Sequence, residues 1–272
     1  MASVLLLANP ASGRGRARKA AEALLERIPG AVLLERDARP TEGILVAVGG
    51  DGTVNEAARK VRGNPNLTLA VFPTGTVNLL ARVYRLPPDV DGFVRLLSDG
   101  RVASLDLGLA GDRVFLSCAG AGFDADVVRR LHRGRSGGIR IWHYAPHILG
   151  ALAAGSPPPL RVRIDGQDQG TFGQAIVGNL PLYAGFLRFT PEARGDDGLL
   201  DAALFPSGRR LDLVRYGIAA TLGRNAGDVR ILRGREIRLE GEGVPLQLDG
   251  DMAGELPVTL RVEPAALRLL VP

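Results

Sequence analysis

The segment from Val46 to Glu56, with the sequence VAVGGDGTVNE, constrains the fold of this chain most strongly. It begins as an apolar run that is typical of a buried parallel strand, and it continues as a helix. The Thr53-x-x-Glu56 spacing predicts a capping box at the start of this helix. The glycine-rich turn before the helix exposes backbone N–H groups at the positive end of the helix dipole, which suits a phosphate.

Asp51 lies inside this glycine-rich turn. A carboxylate beside phosphate oxygens would repel them unless a divalent cation lay between the two groups. A plain turn does not require three glycines around one aspartate, whereas a nest of backbone N–H groups does. The turn therefore indicates a site for a metal-bound nucleotide.

Two other loops follow predicted strands, Val4–Ala8 and Thr68–Phe72. The alternation of strands and helices in this part of the chain predicts a parallel sheet covered by helices. Ligands of open α/β sheets bind at the carboxyl ends of the strands. We therefore expect the loops at residues 9–16, 49–53 and 73–78 to converge on one site.

The connection over Arg36–Gly43 is unusually short. It separates the predicted strands Val32–Glu35 and Ile44–Val48, whereas a parallel crossover normally needs a dozen residues or more. Either the connection is an abbreviated loop, or these two strands are not neighbours in the sheet.

The character of the sequence changes after about Arg101, where short strands alternate with Gly, Pro and Asp turns. This pattern is typical of a mostly antiparallel β domain. We predict an α/β + β fold, with a nucleotide-binding α/β domain over residues 1–104 and a β-rich, sandwich-like domain over residues 105–272. An active-site cleft is expected between the domains, and the return of the last strand to the first domain stays open. The predicted strands of the second domain are Val114–Ala119, Leu160–Ile164, Ala175–Gly178, Leu199–Phe205, Glu236–Leu239, Leu246–Leu248, Val258–Val262 and Leu267–Val271.

Composition narrows the class of protein only slightly. The formal net charge of +5 fits anionic membranes, nucleic acid or nucleotide phosphates, and by itself it chooses none of them. Cys118 is the only cysteine, so no disulfide framework is expected, and a reducing, cytoplasmic compartment is the natural interpretation. No apolar run approaches the length of a transmembrane helix.

Several common site types are excluded by their missing residues. The chain has no Gly-Lys-Ser/Thr for a P-loop, and Arg18 stands where a Rossmann fingerprint needs its third glycine. His143 and His147 form a bare i,i+4 pair without a carboxylate or cysteine to complete a zinc site. The chain also lacks the nucleophile elbow of a serine hydrolase.

The ordered motifs of the chain resemble the diacylglycerol kinase catalytic family, which includes bacterial lipid kinases and the sphingosine and ceramide kinases. The resemblance covers nearly the whole chain. It rests on NPxSG at residues 9–13, GGDGTxNE at 49–56, GTxN at 75–78, AGFDA at 121–125, DDGLLD at 196–201 and DGD at 249–251.

The resemblance implies ATP as the phosphoryl donor, Mg²⁺ as its cation, and a lipid hydroxyl as the acceptor. It places the nucleotide phosphates on the loops already singled out, with Asp51 close to the cation. The nucleotide-binding residues implied in this way are Asn9, Pro10, Ser12, Gly13, Gly49, Gly50, Asp51, Gly52, Thr53, Val54, Asn55, Gly75, Thr76 and Asn78.

The segment Asp196-Asp197-Gly198 by itself is typical of a turn. By resemblance to the family, Asp197 would bind a structural magnesium together with the backbone carbonyls of Arg194 and Leu199. Carboxylate and carbonyl oxygens are suitable ligands for such a hard cation.

The segment Leu248-Asp249-Gly250-Asp251 by itself predicts a hairpin turn. Related chains have Asp-Gly-Glu here, and their glutamate is assigned as the proton acceptor. Asp251 is one methylene shorter than that glutamate. Either Asp251 serves as the base, or Asp249 serves, or the activity is weak. Asp251, Asp249 and Asp51 are thus the candidate catalytic residues.

The chain departs from the family pattern at two further positions. Leu79 stands where related chains commonly have an aspartate after GTxN, and this change affects the acceptor side of the site. Related chains carry a helix at the position of the short Arg36–Gly43 connection, with a threonine that they use for the nucleotide, and the sequence assigns that role to no particular residue here.

The first hypothesis is an ATP-dependent kinase that phosphorylates a hydroxyl of diacylglycerol or a similar lipid. It would be cytoplasmic, with peripheral contact with the inner membrane. Arginines and side chains such as Trp142, Tyr144, Tyr183 and Phe186 are candidates for this contact, but ordinary surface and core positions are the favoured interpretation of them. A lipid surface is the expected partner, no nucleic-acid partner is expected, and a homodimer is an open alternative. The other hypotheses are a sphingoid or ceramide kinase, a metabolite kinase similar to NAD kinase, and a nucleotide-binding regulator without turnover.

Overall fold

The computed structural model describes residues 3–9, 15–133, 144–155 and 157–272. The helices are α1 (Arg16–Arg27), α2 (Asp51–Val61), α3 (Leu79–Val83), α4 (Val90–Asp99), α5 (Phe123–Arg133), α6 (Tyr144–Ala154) and α7 (Arg210–Thr221). The strands are β1 (Val4–Ala8), β2 (Val32–Leu33), β3 (Gly43–Gly49), β4 (Leu67–Pro73), β5 (Arg101–Ala110), β6 (Arg113–Phe115), β7 (Cys118–Ala121), β8 (Leu160–Ile164), β9 (Gln167–Phe172), β10 (Gln174–Gly178), β11 (Leu200–Phe205), β12 (Arg230–Gly234), β13 (Glu236–Glu240), β14 (Pro245–Leu248), β15 (Asp251–Glu255) and β16 (Val258–Val271).

The chain divides into two compact units. The first comprises Met1–Asp106 and Ala265–Pro272, and the second comprises Leu107–Pro264. The sequence had placed this division after residue 104 and had left the return of the last strand open. In the structure β16 begins in the second unit and ends in the first.

The first unit is built on a parallel sheet with the strand order β2-β1-β3-β4, and the end of β16 lies parallel to β4. The residues of β3 and β4 are almost entirely buried because these strands have apolar side chains on both faces. Helix α2 contacts β3 and β4, and α1 contacts β1 and β3. This arrangement confirms the predicted parallel α/β unit.

The strand order explains the short connection between β2 and β3. Leu5 of β1 lies opposite both Val32 of β2 and Leu45 of β3, so β1 separates these two strands. The second of the two alternatives is therefore correct. Lys60 of α2 stabilises the connection between β2 and β3, because its Nζ donates to the carbonyls of Arg36 (2.5 Å) and Ala38 (2.9 Å).

The predicted capping box of α2 is wrong. The helix begins at Asp51, its N-cap is Gly50, and no side chain caps it. Thr53 therefore lies inside the first turn and is buried, while Glu56 forms an ion pair with Arg36 (Nε–Oε1 3.0 Å). The helix starts earlier than predicted because Gly50 has the extended backbone that an N-cap requires.

The second unit is a sandwich of antiparallel sheets, as predicted. One sheet has the strand order β12-β11-β10-β7-β14-β15, and another contains β16, β13, β8 and β9. A single apolar core joins side chains of the two sheets, among them Leu160, Val177, Leu204, Leu246 and Leu260.

The other face of the six-stranded sheet is covered by helix α7 and neighbouring residues. Ile176 and Phe205 from the sheet pack with Leu213, Tyr216 and Ala220 of the helix. None of the helices in the described part of the chain is long and apolar enough to span a membrane.

Candidate functional site

The loops after β3 and β4 meet at the carboxyl edge of the parallel sheet. Gly49 lies opposite Pro73, and the Thr74 N–H donates to the Gly49 carbonyl (2.9 Å). Ala8 lies opposite Val48, so Asn9 follows β1 at the same edge. The predicted residues Pro10, Ser12 and Gly13 lie outside the described residues.

Gly75 permits a very close approach of the two loops. A Cβ atom added to Gly75 would lie 2.5 Å from the Gly50 Cα and 2.6 Å from the Asn78 Oδ1. Both distances are too short for a side chain, so only glycine fits at this position. The glycine of the Gly75-Thr76-x-Asn78 motif is thus explained by packing against the first glycine-rich turn.

The Asp51 carboxylate joins these same loops. Its Oδ2 accepts from the Asn78 N–H (3.0 Å), and its Oδ1 accepts from the Leu79 N–H (2.6 Å). Burial raises the pKa of Asp51, and the hydrogen bonds from these two N–H groups offset part of the effect. Position 79 is leucine here, where related chains commonly have an aspartate. Its backbone N–H nevertheless helps to hold the loop by donating to Asp51.

The predicted phosphate-binding residues differ in what they can offer to a ligand. Gly52 and Thr76 are exposed. The side chains of Thr53 and Val54 are buried in the core, and their backbone N–H groups donate to the Gly50 carbonyl (2.9 and 3.1 Å). Adding a Cβ at Gly52 would meet no atom within 4 Å, which leaves open space above the first turn of α2.

Two oxygens of the second loop fit a nucleotide or its cation. The side-chain atoms Thr74 Oγ1 and Asn78 Oδ1 are buried and have no hydrogen-bond partner within the part of the chain that the structure describes. Buried polar atoms are nearly always satisfied, so an unpaired pair in one loop points to a bound group. The sequence identified Asn78 but missed Thr74, which the polar Pro73-Thr74-Gly75-Thr76 run could have signalled.

The segment at residues 248–251 is a two-residue hairpin, as its sequence predicts. Leu248 of β14 lies opposite Asp251 of β15, and Asp249 and Gly250 both have positive φ angles, 49° and 84°. This is the backbone of a type I′ turn, which an Asp-Gly pair adopts readily. The turn places Asp251 at the first position of β15, where it is exposed.

Asp249 is anchored by three backbone donors. Its Oδ2 accepts from the Leu116 N–H (2.6 Å), and its Oδ1 accepts from the N–H groups of Ser117 (2.8 Å) and Cys118 (3.0 Å). These bonds replace sheet pairing at residues 116–117. The predicted single strand Val114–Ala119 is therefore wrong, and the chain forms the separate strands β6 and β7.

The buried side chain of Gln247 stabilises the hairpin through hydrogen bonds. The Gln247 Oε1 accepts from the Gly250 N–H (2.7 Å), and its Nε2 donates to the Asp124 Oδ2 (3.0 Å). The Tyr183 hydroxyl donates to the other oxygen of Asp124. Gln247 was not singled out from the sequence, although a lone amide in the otherwise apolar strand Pro245–Leu248 is a recognisable signal.

Burial raises the pKa of Asp124, and hydrogen bonds from Tyr183 and Gln247 offset only part of this effect. A carboxyl with a raised native pKa stabilises the fold most at acid pH, and this contribution is lost as pH rises through that pKa. We expect the free energy of unfolding of the wild type, relative to Asp124→Asn, to fall as pH rises from about 4 towards neutrality. Urea unfolding at a series of pH values measures this difference.

Asp168→Asn is the matched control. Arg161 lowers the pKa of Asp168 to about 2, so its contribution grows as pH rises through the acid range. The two variants should therefore show trends of opposite sign. A difference for Asp124→Asn that is flat or rises with pH would contradict the prediction.

The predicted structural magnesium ligands lie together on one turn. Asp197 is exposed, and its Oδ1 accepts from the Leu199 N–H (3.1 Å). Asp201, four residues after Asp197, is fully buried, and its Oδ2 has no partner among the described residues. The oxygen donors suit a hard cation. Within the described ranges, no group of three or more His, Cys, Asp or Glu residues could hold a metal by itself.

The fold and the site define a class of protein. A parallel α/β unit with glycine-rich loops at the carboxyl edge of its sheet, where open α/β folds bind ligands, is followed by a β sandwich that carries an exposed carboxylate on a hairpin. The profile of the diacylglycerol kinase catalytic domain matches residues 30–110. The profile described as the YegS C-terminal NAD kinase beta sandwich-like domain matches residues 117–271.

Individual relatives agree with these profiles. The chain is 31% identical to a protein of Mycobacterium tuberculosis named "Diacylglycerol kinase", over 99% of this chain and 95% of the relative. It is 32% identical to a Pseudomonas aeruginosa protein named "Probable lipid kinase YegS-like", over 84% of this chain and 76% of that one. A crystal structure of a diacylglycerol kinase from Bacillus anthracis has the same fold, with a TM-score of 0.74 at 23% identity over 99% and 97% of the two chains.

The chain belongs to the diacylglycerol kinase family. It is a phosphotransferase of the lipid-kinase class, which uses an alcohol group as acceptor. Membership of a kinase family implies ATP as a substrate.

Proposed function

We propose that this protein transfers the γ-phosphoryl group of ATP to the hydroxyl of diacylglycerol at the surface of a membrane, in the presence of Mg²⁺. The observation that carries the proposal is the 31% identity with a diacylglycerol kinase along 99% of the chain. The alignment spans both units, so the glycine-rich loops and the Asp249–Asp251 hairpin both lie within the part of the chain that is similar to this relative. We place the enzyme in the cytoplasm, in peripheral contact with the inner membrane.

The first unit supplies the nucleotide site. We assign the phosphate oxygens to the open space above the first turn of α2 at Gly52, because the N–H groups of Thr53 and Val54 already donate to the Gly50 carbonyl (2.9 and 3.1 Å). Thr74 Oγ1, Asn78 Oδ1 and the Asp51 carboxylate are the oxygens available to the cation and the nucleotide. When bound, Mg²⁺ neutralises the charge that develops on the phosphate oxygens.

The second unit supplies the base. Asp251 is exposed at the start of β15 and accepts the proton of the acceptor hydroxyl as that hydroxyl attacks the γ-phosphorus. Asp249 is a positioning residue, because its carboxylate is held by three backbone N–H groups. The alternative in which Asp249 is the base is disfavoured by these bonds. A structural magnesium at Asp197, with the carbonyls of Arg194 and Leu199, completes the proposed enzyme.

The transfer of label from γ-labelled ATP to defined acceptors tests the proposal. We expect labelling of diacylglycerol in mixed micelles that depends on Mg²⁺. Sphingosine and ceramide test the alternative lipid acceptors, and NAD in a lipid-free reaction tests the metabolite kinase. Binding of ATP by calorimetry without any transfer would identify a regulator and overturn the proposal.

The variant Gly52→Ala tests the nucleotide site without disturbing the fold. The added methyl group meets no protein atom within 4 Å, and alanine favours the helix by up to about 1 kcal/mol, so stability should be maintained. The methyl group occupies space that we assign to the phosphates, so ATP affinity should fall about tenfold or more. Gly217→Ala, at another helical glycine that has no atom within 4 Å of the added methyl group, tests glycine replacement outside the site. Unchanged ATP affinity in Gly52→Ala would contradict the assigned phosphate position.

A further inference from the structure

Helix α7 presents apolar side chains on the face that points away from the core. Its inner face is buried through Leu213, Tyr216 and Ala220. Its outer face, continued one residue past the helix end, carries four exposed apolar side chains at spacings of three, four and four residues, which places them on one side of a helix. They are Leu211 (84% exposed), Val214 (44%), Ile218 (58%) and Leu222 (65%).

Single exposed apolar residues are normal on protein surfaces, but a stripe of four on one helix face marks an interaction site. We name these four residues the α7 stripe. Helix α6 ends next to the start of α7, because Arg210 Nη2 donates to the Ala153 carbonyl (2.8 Å). Helix α6 carries two more exposed apolar side chains, Ile148 and Leu149.

The charge around the stripe is positive, and it comes mainly from Arg209, Arg210 and Arg224, because Arg215 is paired with Asp212 (3.4 Å) and Asp228 (2.6 Å). Residues 209–224 contain four arginines, Arg209, Arg210, Arg215 and Arg224, and a single carboxylate, Asp212. All four arginines are exposed. An apolar helix face flanked by arginines is the pattern of a helix that lies in the interface of an anionic bilayer.

The area of the α7 stripe indicates whether its partner is a bilayer or a second copy of the chain. A helix of 12 residues is about 18 Å long and about 10 Å wide, which gives a footprint of roughly 180 Å². A stable protein interface buries about 800 Å² on each partner. The α7 stripe is far smaller than this, whereas interfacial binding to a bilayer needs only a few apolar side chains supported by charge.

We propose that the α7 stripe docks this protein onto an anionic lipid bilayer, with Leu211, Ile218 and Leu222 inserted among the acyl chains and the arginines at the headgroups. The proposal deepens the proposed function, since a lipid acceptor with long acyl chains stays in the bilayer and the enzyme has to reach it there. It concerns a helix of the second unit that is separate in sequence from the Asp249–Asp251 hairpin.

Co-sedimentation of the full chain with vesicles tests the proposal without requiring activity. The vesicles consist of equal parts of phosphatidylcholine and phosphatidylglycerol, or of phosphatidylcholine alone. We expect binding to the anionic vesicles that weakens with added salt. The double variant Leu211→Ser/Ile218→Ser should bind about 100-fold more weakly, because each buried aliphatic side chain contributes roughly tenfold.

Two other double variants complete the design. Val32→Ser/Leu33→Ser replaces another exposed apolar pair, in the first unit (51% and 56% exposed), and should bind as the wild type does. Arg209→Gln/Arg224→Gln should lose about tenfold on anionic vesicles. Circular dichroism shows whether each variant is folded.

Three outcomes would overturn the docking surface. The first is unchanged vesicle binding by Leu211→Ser/Ile218→Ser, and the second is the absence of wild-type binding to anionic vesicles. The third is a wild-type protein that does not bind vesicles but forms a dimer in ultracentrifugation, which Leu211→Ser/Ile218→Ser alone converts to a monomer. A kinase assay with a dispersed short-chain diacylglycerol tests the proposed function independently of membrane docking, because this acceptor is presented outside a bilayer. If the function is correct, the variant should retain activity there and lose it only on vesicles.

Discussion

The variant Asp251→Asn is expected to lose phosphoryl transfer by about 10²- to 10⁴-fold, the range that a general base contributes. The amide keeps the shape of the side chain but cannot accept the proton of the acceptor hydroxyl. Asp251 is exposed on β15, so the substitution should leave the free energy of unfolding within about 0.5 kcal/mol. Steady-state transfer to diacylglycerol and urea unfolding measure the two quantities.

Asp251→Glu is the matched control. It restores the carboxylate and adds the methylene that related chains have at this position, so it should retain or exceed wild-type activity. ATP affinity should be the same in all three proteins, because Asp251 belongs to the second unit and the nucleotide loops belong to the first. An Asp251→Asn enzyme with nearly full activity would show that Asp251 is not the base.

The variant Asp249→Gly is expected to have the largest effect on stability. It removes the acceptor of the N–H groups of Leu116, Ser117 and Cys118 and leaves them without that partner. Losing one partner of a partly buried hydrogen bond costs about 1–3 kcal/mol, so we expect a total loss of about 3–5 kcal/mol, because water compensates in part. Glycine tolerates the φ of 49° at this position, so the loss reports the carboxylate rather than backbone strain.

Asp249→Asn serves as the comparison. Its Oδ1 can still accept from Ser117 and Cys118, while its amide group faces the N–H of Leu116, so we expect a loss of only about 1–2 kcal/mol. Transfer by Asp249→Gly should fall about 100-fold even where the protein is folded, because a displacement of about 1 Å of a catalytic group has that effect. Equal stability of Asp249→Gly and the wild type in urea unfolding would refute the anchoring role.

The two aspartates of the hairpin illustrate what sequence can and cannot assign. Their Asp-Gly-Asp pattern predicted the turn, because positive φ angles at two successive positions depend on the local residues alone. The same pattern left open which aspartate is the base. The structure shows that the Asp249 carboxylate accepts from the N–H of Leu116, 133 positions away in the chain, and this contact supports our proposal that Asp251 is the base.

Errors at element ends have a similar origin. The start of α2 was placed at Thr53 from a local capping pattern, but Glu56 of that pattern pairs with Arg36 instead. The strand predicted at Val114–Ala119 has a suitable composition, yet the Asp249 carboxylate takes its N–H groups and divides it. Both errors arise where a distant side chain competes with a local hydrogen-bond pattern.

Patterns in the sequence were enough to predict the order of an α/β unit and a β sandwich, the glycine-rich loops at the edge of the parallel sheet, and the Asp-Gly hairpin. These features depend on apolar periodicity and on backbone angles that nearby residues dictate. The tertiary structure decided that β1 separates β2 from β3, that Gln247 and Asp124 support the hairpin, and that α7 is apolar on its outer face. These features depend on contacts between residues far apart in the chain, which form only when the whole core packs.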